Sequence, residues 1–139
     1  MLRHGARVLD LGSGAGIPGL VIAWDRPDLE VTLLDVRQRR ADQLERLVRR
    51  LGLLSRVRVV CASAERFAVS EAGAFDAVVA RRFGPPAAVA RAADSLLHAG
   101  GIVVVSAARD GRWAGLSAWS RSPAPPEGLE VLRRSPGAG

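Results

Sequence analysis

The sequence predicts an α/β fold: a doubly wound, mostly parallel sheet with helices on both faces. Three observations lead there. Short valine- and leucine-rich runs alternate with segments of helical period. The runs are apolar throughout rather than alternating, as in strands covered on both faces. The first run passes through a glycine-rich loop, "DLGSGAG", directly into a helix. In such sheets the crossovers are right-handed, and ligands collect outside the carboxyl ends of the strands where strand order reverses.

The elements follow in order. "RVLDL" (7–11) is a short apolar strand, and the loop after it leads into a helix whose first turn holds Pro18, where a missing N–H costs nothing. The turn signal "RPD" precedes a second strand, "LEVTLLD" (29–35), closed by Asp35. Residues 37–51 place Ala41, Leu44, Val48 and Leu51 on one helical face, with Asp42–Arg46 and Glu45–Arg49 as i,i+4 pairs and Gly52 as the stop. Three valine-rich strands follow, at 56–62, 75–81 and 101–108, with a helix-like stretch at 86–100. Beyond residue 108 the pattern weakens. "DGRWAGLSAW" reads as a short helix with Trp113, Leu116 and Trp119 facing the sheet, and "SPAPPEG" then breaks the chain before a weak strand, "LEVLRR".

At 139 residues the chain suits one domain, predicted over 1–134, with "SPGAG" (135–139) as a disordered tail. Apolar residues make up 48%, yet no uninterrupted apolar run approaches the roughly 18 residues of a membrane span. The start, "MLRHGARV", has no secretory pattern, which predicts a cytoplasmic location. Cys61 is the single cysteine, so no internal disulfide forms, and it reads as a small buried apolar residue. No CxxC or histidine cluster suggests a metal. The net charge of +6 comes with 20 arginines and no lysine. That balance favours an anionic partner, and the guanidinium fork suits phosphate. Codon bias of a GC-rich genome also accounts for the arginines without removing the charge.

The alternate glycines Gly12, Gly14 and Gly16 need a local cause, since interior glycine weakens regular structure by roughly 0.5–1 kcal/mol relative to alanine. A strand-to-helix loop offers free N–H groups and the positive end of a helix dipole to an anionic or polar ligand. The dinucleotide pattern G-x-G-x-x-G fails at its sixth position, which is Ile17. The pattern Asp10-x-Gly12-x-Gly14-x-Gly16 instead looks like the first motif of class I methyltransferases, Rossmann-like proteins that bind S-adenosylmethionine. Asp35, 19 positions after Gly16, is placed to accept hydrogen bonds from both hydroxyls of a ribose, or else to cap the helix that begins at Arg37.

The chain resembles the bacterial small-subunit ribosomal RNA guanine-N7 methyltransferases (RsmG, also called GidB). The matching stretches are "VLDLGSGAGIPGL" (8–20), "VTLLD" (31–35), "RRADQLERL" (39–47), "LGL" (51–53), "SAE" (63–65) and "FDAVVAR" (75–81). The resemblance implies that Asp10, Gly12, Ser13, Gly14 and Gly16 line the methionine end of the cofactor, that Asp35 holds its ribose, and that Ala64 and Glu65 flank its adenine. Arg40 and Arg81 match basic positions near the active-site face, although Arg40 also suits a solvated helix position and Glu65 a helix cap. The chain departs from the family in lacking its N-terminal helical region, in Arg39 for a usual lysine and Ser63 for a usual arginine. It departs again in "RFGPP" (82–86), in "SAARD" after the fifth strand, and in C-terminal strands that are barely visible, so part of them is expected to be missing.

Methyl transfer from a sulfonium is a direct displacement that needs alignment more than proton transfer. Guanine N7 has a free lone pair and requires no general base, which suits a chain with only His4 and His98. The major groove of A-form RNA excludes side chains, so N7 has to lie in a loop or unstacked segment, held by arginines of 37–50 on its phosphates. Three alternatives stay open: another RNA base or a small molecule as acceptor, a non-catalytic adenosine-ligand module, and a nicotinamide-dependent oxidoreductase.

Overall fold

The computed structural model describes residues 2–106 and 116–137. In chain order the elements are β1 (Arg7–Leu11), α1 (Gly19–Asp25), β2 (Glu30–Asp35), α2 (Gln38–Arg50), β3 (Val57–Cys61), α3 (Ala64–Glu71), β4 (Phe75–Ala80), α4 (Pro86–Asp94), β5 (Leu97–Ser106), β6 (Trp119–Arg121) and β7 (Leu129–Arg134). They build one seven-stranded sheet in the order β3-β2-β1-β4-β5-β7-β6. Strands β1 to β5 run parallel, while β7 pairs antiparallel with β5 and β6 antiparallel with β7. Strand order reverses between β1 and β4, which opens a crevice above their carboxyl ends.

Each face of the sheet has its own apolar core. On one face α1 and α2 bring Leu20, Ala23, Leu44 and Val48 against Val8, Val31, Leu33 and Val79. On the other, α3 and α4 bring Phe67, Val89, Ala90 and Ala93 against Leu9, Leu11, Val78, Val103 and Val105. The stop of α2 follows the sequence: Leu51 is the C-cap, and Gly52 takes the left-handed φ of 69° that glycine adopts without a Cβ clash.

Several expectations need correction. Cys61 is exposed, because β3 is the outer strand of the sheet and its carboxyl end stands at the rim. Leu51 is 40% exposed, and Leu53, just past the turn, fills the core position instead. Neither Asp42–Arg46 nor Glu45–Arg49 closes to an ion pair among the described residues; Asp42 accepts from Gln38 Nε2 at 2.8 Å. The helix expected to reach residue 100 ends at Asp94, since Leu96 and Leu97 are drawn fully into the core and Leu97 pairs with Phe75. Among the described strands only β1, β2 and β4 are buried on both faces; β5 alternates, with Val103 and Val105 buried and Ile102 and Val104 half-buried.

The expected loss of C-terminal strands is also overturned. "LEVLRR" forms β7 at full length, and its Leu132 is buried against the β5 side of the core. Trp119 opens β6 rather than closing a helix, packing with Leu116 against the α3–α4 core; Trp113 lies outside the described residues. Glu130, buried on β7, holds Arg121 of β6 by a two-point pair, Nε donating to Oε2 at 2.7 Å. Of the expected tail, Ser135 N donates to Ala118 O at 2.8 Å, 136–137 form a turn, and 138–139 lie outside the described residues. No helix among the described residues is long and apolar enough to cross a membrane.

Candidate functional site

The glycine loop explains its own composition. Gly12, Gly14 and Gly16 all have positive φ, at 71°, 54° and 90°, a region that side chains rarely adopt. The loop thereby winds tightly over the end of β2: Gly12 N and Ser13 N both donate to Leu34 O, at 2.9 and 3.0 Å, and Gly16 N donates to Ser13 O at 2.8 Å. Gly14 N donates to Asp35 Oδ2 at 3.1 Å. The expectation of free donors on this loop is therefore corrected, since these four N–H groups already have partners. What the loop offers is bare backbone surface.

Four side chains use that surface. A Cβ on Gly16 would stand 2.5 Å from Leu20 Cδ1 and 3.2 Å from Leu44 Cδ2, so this glycine serves the packing of α1 and α2. A Cβ on Gly14 would stand 2.9 Å from Arg40 Nη1, and one on Gly12 would stand 3.0 Å from Phe83 Cδ2. Arg40 and Phe83 therefore rest on the upper side of the loop, one from α2 and one from the segment after β4.

Two aspartates brace the loop from below and beside. Asp10, 1% exposed in the middle of the sheet, accepts from Gly19 N at 2.7 Å and so fixes the start of α1. Gly19 permits this approach, because a Cβ there would fall 2.4 Å from Leu33 Cδ2 and 2.6 Å from Asp10 Oδ2. The other oxygen of Asp10, Oδ1, is buried with no partner among the described residues. Burial pushes the Asp10 carboxyl up to about 6, with the Gly19 N–H opposing and the nearby Asp35 charge adding to the rise. Ser13 is buried, and its hydroxyl donates to Asp10 O at 3.0 Å. Asp35, at the carboxyl end of β2 and 7% exposed, accepts Gly14 N–H on one oxygen and Arg37 N–H on the other, at 2.9 Å. It therefore both caps the approach to α2 and faces the loop.

Above these groups lies a crevice of about 220 Å³. Its walls come from the ends of four parallel strands: Leu11 and Gly12 after β1, Leu34 to Arg37 with Arg40 at β2 and α2, Ala62 and Ala64 at β3 and α3, and Arg82 and Phe83 after β4. Of the residues singled out in the sequence, Gly12, Asp35, Arg40 and Ala64 meet there. Asp10 is buried beneath the loop, Ser13 and Gly16 are buried within it, and Gly14 lies under the Arg40 guanidinium. Glu65 is exposed in the first turn of α3, whose N-cap is Ser63, its hydroxyl accepting from Arg66 N at 3.3 Å. Arg81 is exposed and stands outside the crevice wall, whereas its neighbour Arg82 is part of it. The sequence marked Arg37 only among the arginines for RNA phosphates, and Arg82 and Phe83 were not marked as site residues. The signal for the last two was present in "RFGPP", the segment at which the chain departs from the resembling family.

Residues 1–110 match the family model described as GidB, rRNA small subunit methyltransferase G. Two relatives carry the name ribosomal RNA small subunit methyltransferase G. The one from Salinispora arenicola (strain CNS-205) is 45% identical over 104 residues, covering 72% of this chain and 43% of that protein. The one from Mycobacterium marinum (strain ATCC BAA-535 / M) is 49% identical over 82 residues, covering 58% and 35%. The chain thus spans less than half the length of these relatives. Among solved structures, it is similar to a SAM-dependent methyltransferase from Thiobacillus denitrificans in complex with S-adenosyl-L-homocysteine, with a TM-score of 0.63 and 28% identity over 76% of this chain and 43% of that one. The [4+2]-cyclase SpnF is similar to the same degree, with a TM-score of 0.65 and 31% identity over 76% and 39%. The family match over most of the chain joins the glycine turn, the strand-end aspartate and the sheet order in one conclusion: the chain belongs to the rRNA small subunit methyltransferase G family.

Proposed function

We propose that the crevice binds S-adenosylmethionine and that the protein is a cytoplasmic methyltransferase acting on small-subunit (16S) ribosomal RNA at N7 of a guanine, with residues 1–134 as the cofactor-binding domain. The observation that carries this reading is the juxtaposition of Asp35 with the glycine turn at the carboxyl ends of β1 and β2. The donor set fits the cofactor: bare backbone at Gly12 and Gly14, a carboxylate whose two oxygens keep lone pairs beyond the Gly14 and Arg37 N–H bonds, and apolar Ala62 and Ala64 for an adenine. At about 220 Å³ the crevice is smaller than the roughly 300–1,000 Å³ usual for ligand pockets. The side chains that narrow it, Arg40 and Phe83, are exposed, while the backbone cradle beneath them is already formed.

When bound, S-adenosylmethionine supplies an activated methyl group on a sulfonium. The protein's part is to orient. Asp35 would hold a ribose, the backbone of Gly12 and Gly14 would take the methionine end beside Arg40 and Phe83, and the floor of Leu11 and Leu34 would keep water out from below. N7 of guanine carries no proton, so no residue is required as a base. Arg39 and Arg40 are exposed in the first turn of α2 beside the crevice, and Arg46, Arg49 and Arg50 are exposed farther along the helix; together they offer cations for RNA phosphates.

A second reading, a SAM-binding module without methyl transfer, is favoured by the position of Arg81 outside the crevice wall. Transfer of tritium-labelled methyl from S-adenosylmethionine to small-subunit particles and to naked 16S RNA separates the two. Incorporation at guanine N7 is expected; saturable cofactor binding with no label in either substrate favours the second reading.

A further inference from the structure

Phe83 is a large apolar side chain that no core accounts for. It is 42% exposed and belongs to neither apolar cluster of the sheet. Its ring instead rests on the bare face of Gly12, at the junction of β1 and β4. The residue before it, Arg82, has a φ of 58°, the one positive φ outside glycine among the described residues. That strained turn sets Phe83 back toward the loop, and strain of this kind gathers at ligand clamps.

The charges around the crevice give the ring a chemical task. Three arginines, Arg37, Arg40 and Arg82, line it against one carboxylate, Asp35, which already accepts two N–H bonds, and the Arg40 guanidinium lies over Gly14. Such a wall suits anions and opposes a fixed positive charge, yet the proposed cofactor carries one on its sulfur. An aliphatic side chain would fill the space over Gly12 equally well. Only an aromatic ring adds a π face that attracts a cation, and the effect grows when water is excluded. The sulfonium links the amino-acid end to the ribose, and Phe83 is the aromatic wall residue on this loop: it rests on Gly12, two positions before the Gly14 that bonds Asp35.

We propose that Phe83 recognises the sulfonium charge, so that the crevice prefers the cationic methyl donor to its neutral demethylated product, S-adenosylhomocysteine. This rests on the reading of the crevice as the cofactor site. The ring stands over Gly12, and a ligand entering beside the loop would meet its face.

Calorimetric titration of both ligands into the wild type, Phe83→Leu and Phe83→Trp tests it without reference to turnover. The preference for S-adenosylmethionine over S-adenosylhomocysteine is expected to fall about 2- to 30-fold in Phe83→Leu, and to be kept or raised in Phe83→Trp. Leucine keeps apolar contact with a methyl group, so the order Trp, Phe, Leu follows the π face rather than packing. An unchanged preference in Phe83→Leu, or equal weakening of both ligands, overturns the role of Phe83 and leaves the site intact. Absence of heat from either ligand with the wild type defeats the site reading and this inference together.

Discussion

Asp35 and Gly14 are joined across the carboxyl ends of β2 and β1: the Gly14 N–H donates to Asp35 Oδ2 at 3.1 Å. The second oxygen holds the Arg37 N–H, so one carboxylate fixes both the loop and the entry to α2. Asp35→Ala leaves two part-buried N–H groups without partners. A loss of about 1–3 kcal/mol in urea unfolding is expected, with the variant still folded at 25 °C. A variant as stable as the wild type would mean that water replaces the carboxylate at no cost.

Gly19 and Gly84 make a matched pair of tests. A Cβ at Gly19 meets Leu33 Cδ2 at 2.4 Å and Asp10 Oδ2 at 2.6 Å, so Gly19→Ala forces α1 off the sheet. The expected cost is about 1–3 kcal/mol or more. At Gly84 the new Cβ meets only Ala88 Cβ at 3.7 Å, an ordinary contact, and Gly84→Ala is expected to be neutral or to stabilise by about 0.4–1 kcal/mol. Thermal melts of both variants check the contrast.

Asp10 makes stability depend on pH. Its carboxyl titrates at about 6 in the folded protein against 3.8 ordinarily, so the folded state binds the proton more tightly than the unfolded chain. Its contribution is fully present below about pH 4 and is lost as pH rises through about 6, a change of up to about 3 kcal/mol. Asp10→Asn removes this component. Unfolding of both proteins from pH 4 to 7.5 is expected to show the wild type losing stability relative to the variant across that window; parallel curves would contradict it.

Arg39 and Arg46 stand exposed on α2, seven residues apart and so on one side of the helix. If both reach RNA phosphates, Arg39→Ala with Arg46→Ala weakens RNA binding. It also makes the slope of log affinity against log salt shallower by about 0.7 per contact for single strands. Fluorescence anisotropy with a 16S RNA fragment over a salt series measures the slope. An unchanged slope would move the RNA to another face.

Much of this was legible in the sequence, for definable reasons. The strand-loop-helix start, Asp35 and the stop at Gly52 are local signals, each set by a backbone requirement that few residues meet. Of the C-terminal hairpin, β7 showed only as the weak strand "LEVLRR" and β6 was read as a helix, because Trp119 to Arg121 gain their strand character from pairing with β7, which itself leans on β5. The exposure of Cys61 depends on β3 being the outer strand, a fact of strand order rather than composition. The same holds at the site. Spacing marked the glycines, but the internal pairing of their N–H groups and the seat of Phe83 on Gly12 exist only once β2 and the β4 loop close around them.

Calorimetric titration of S-adenosylmethionine into the wild type and Asp35→Ala tests the cofactor site most directly. One-to-one saturable binding is predicted for the wild type, weakened at least about tenfold in the variant, with matched circular dichroism spectra showing both folded. No heat from the wild type, or equal affinity in the two proteins, would contradict a site built on Asp35 and the Gly12–Gly16 turn.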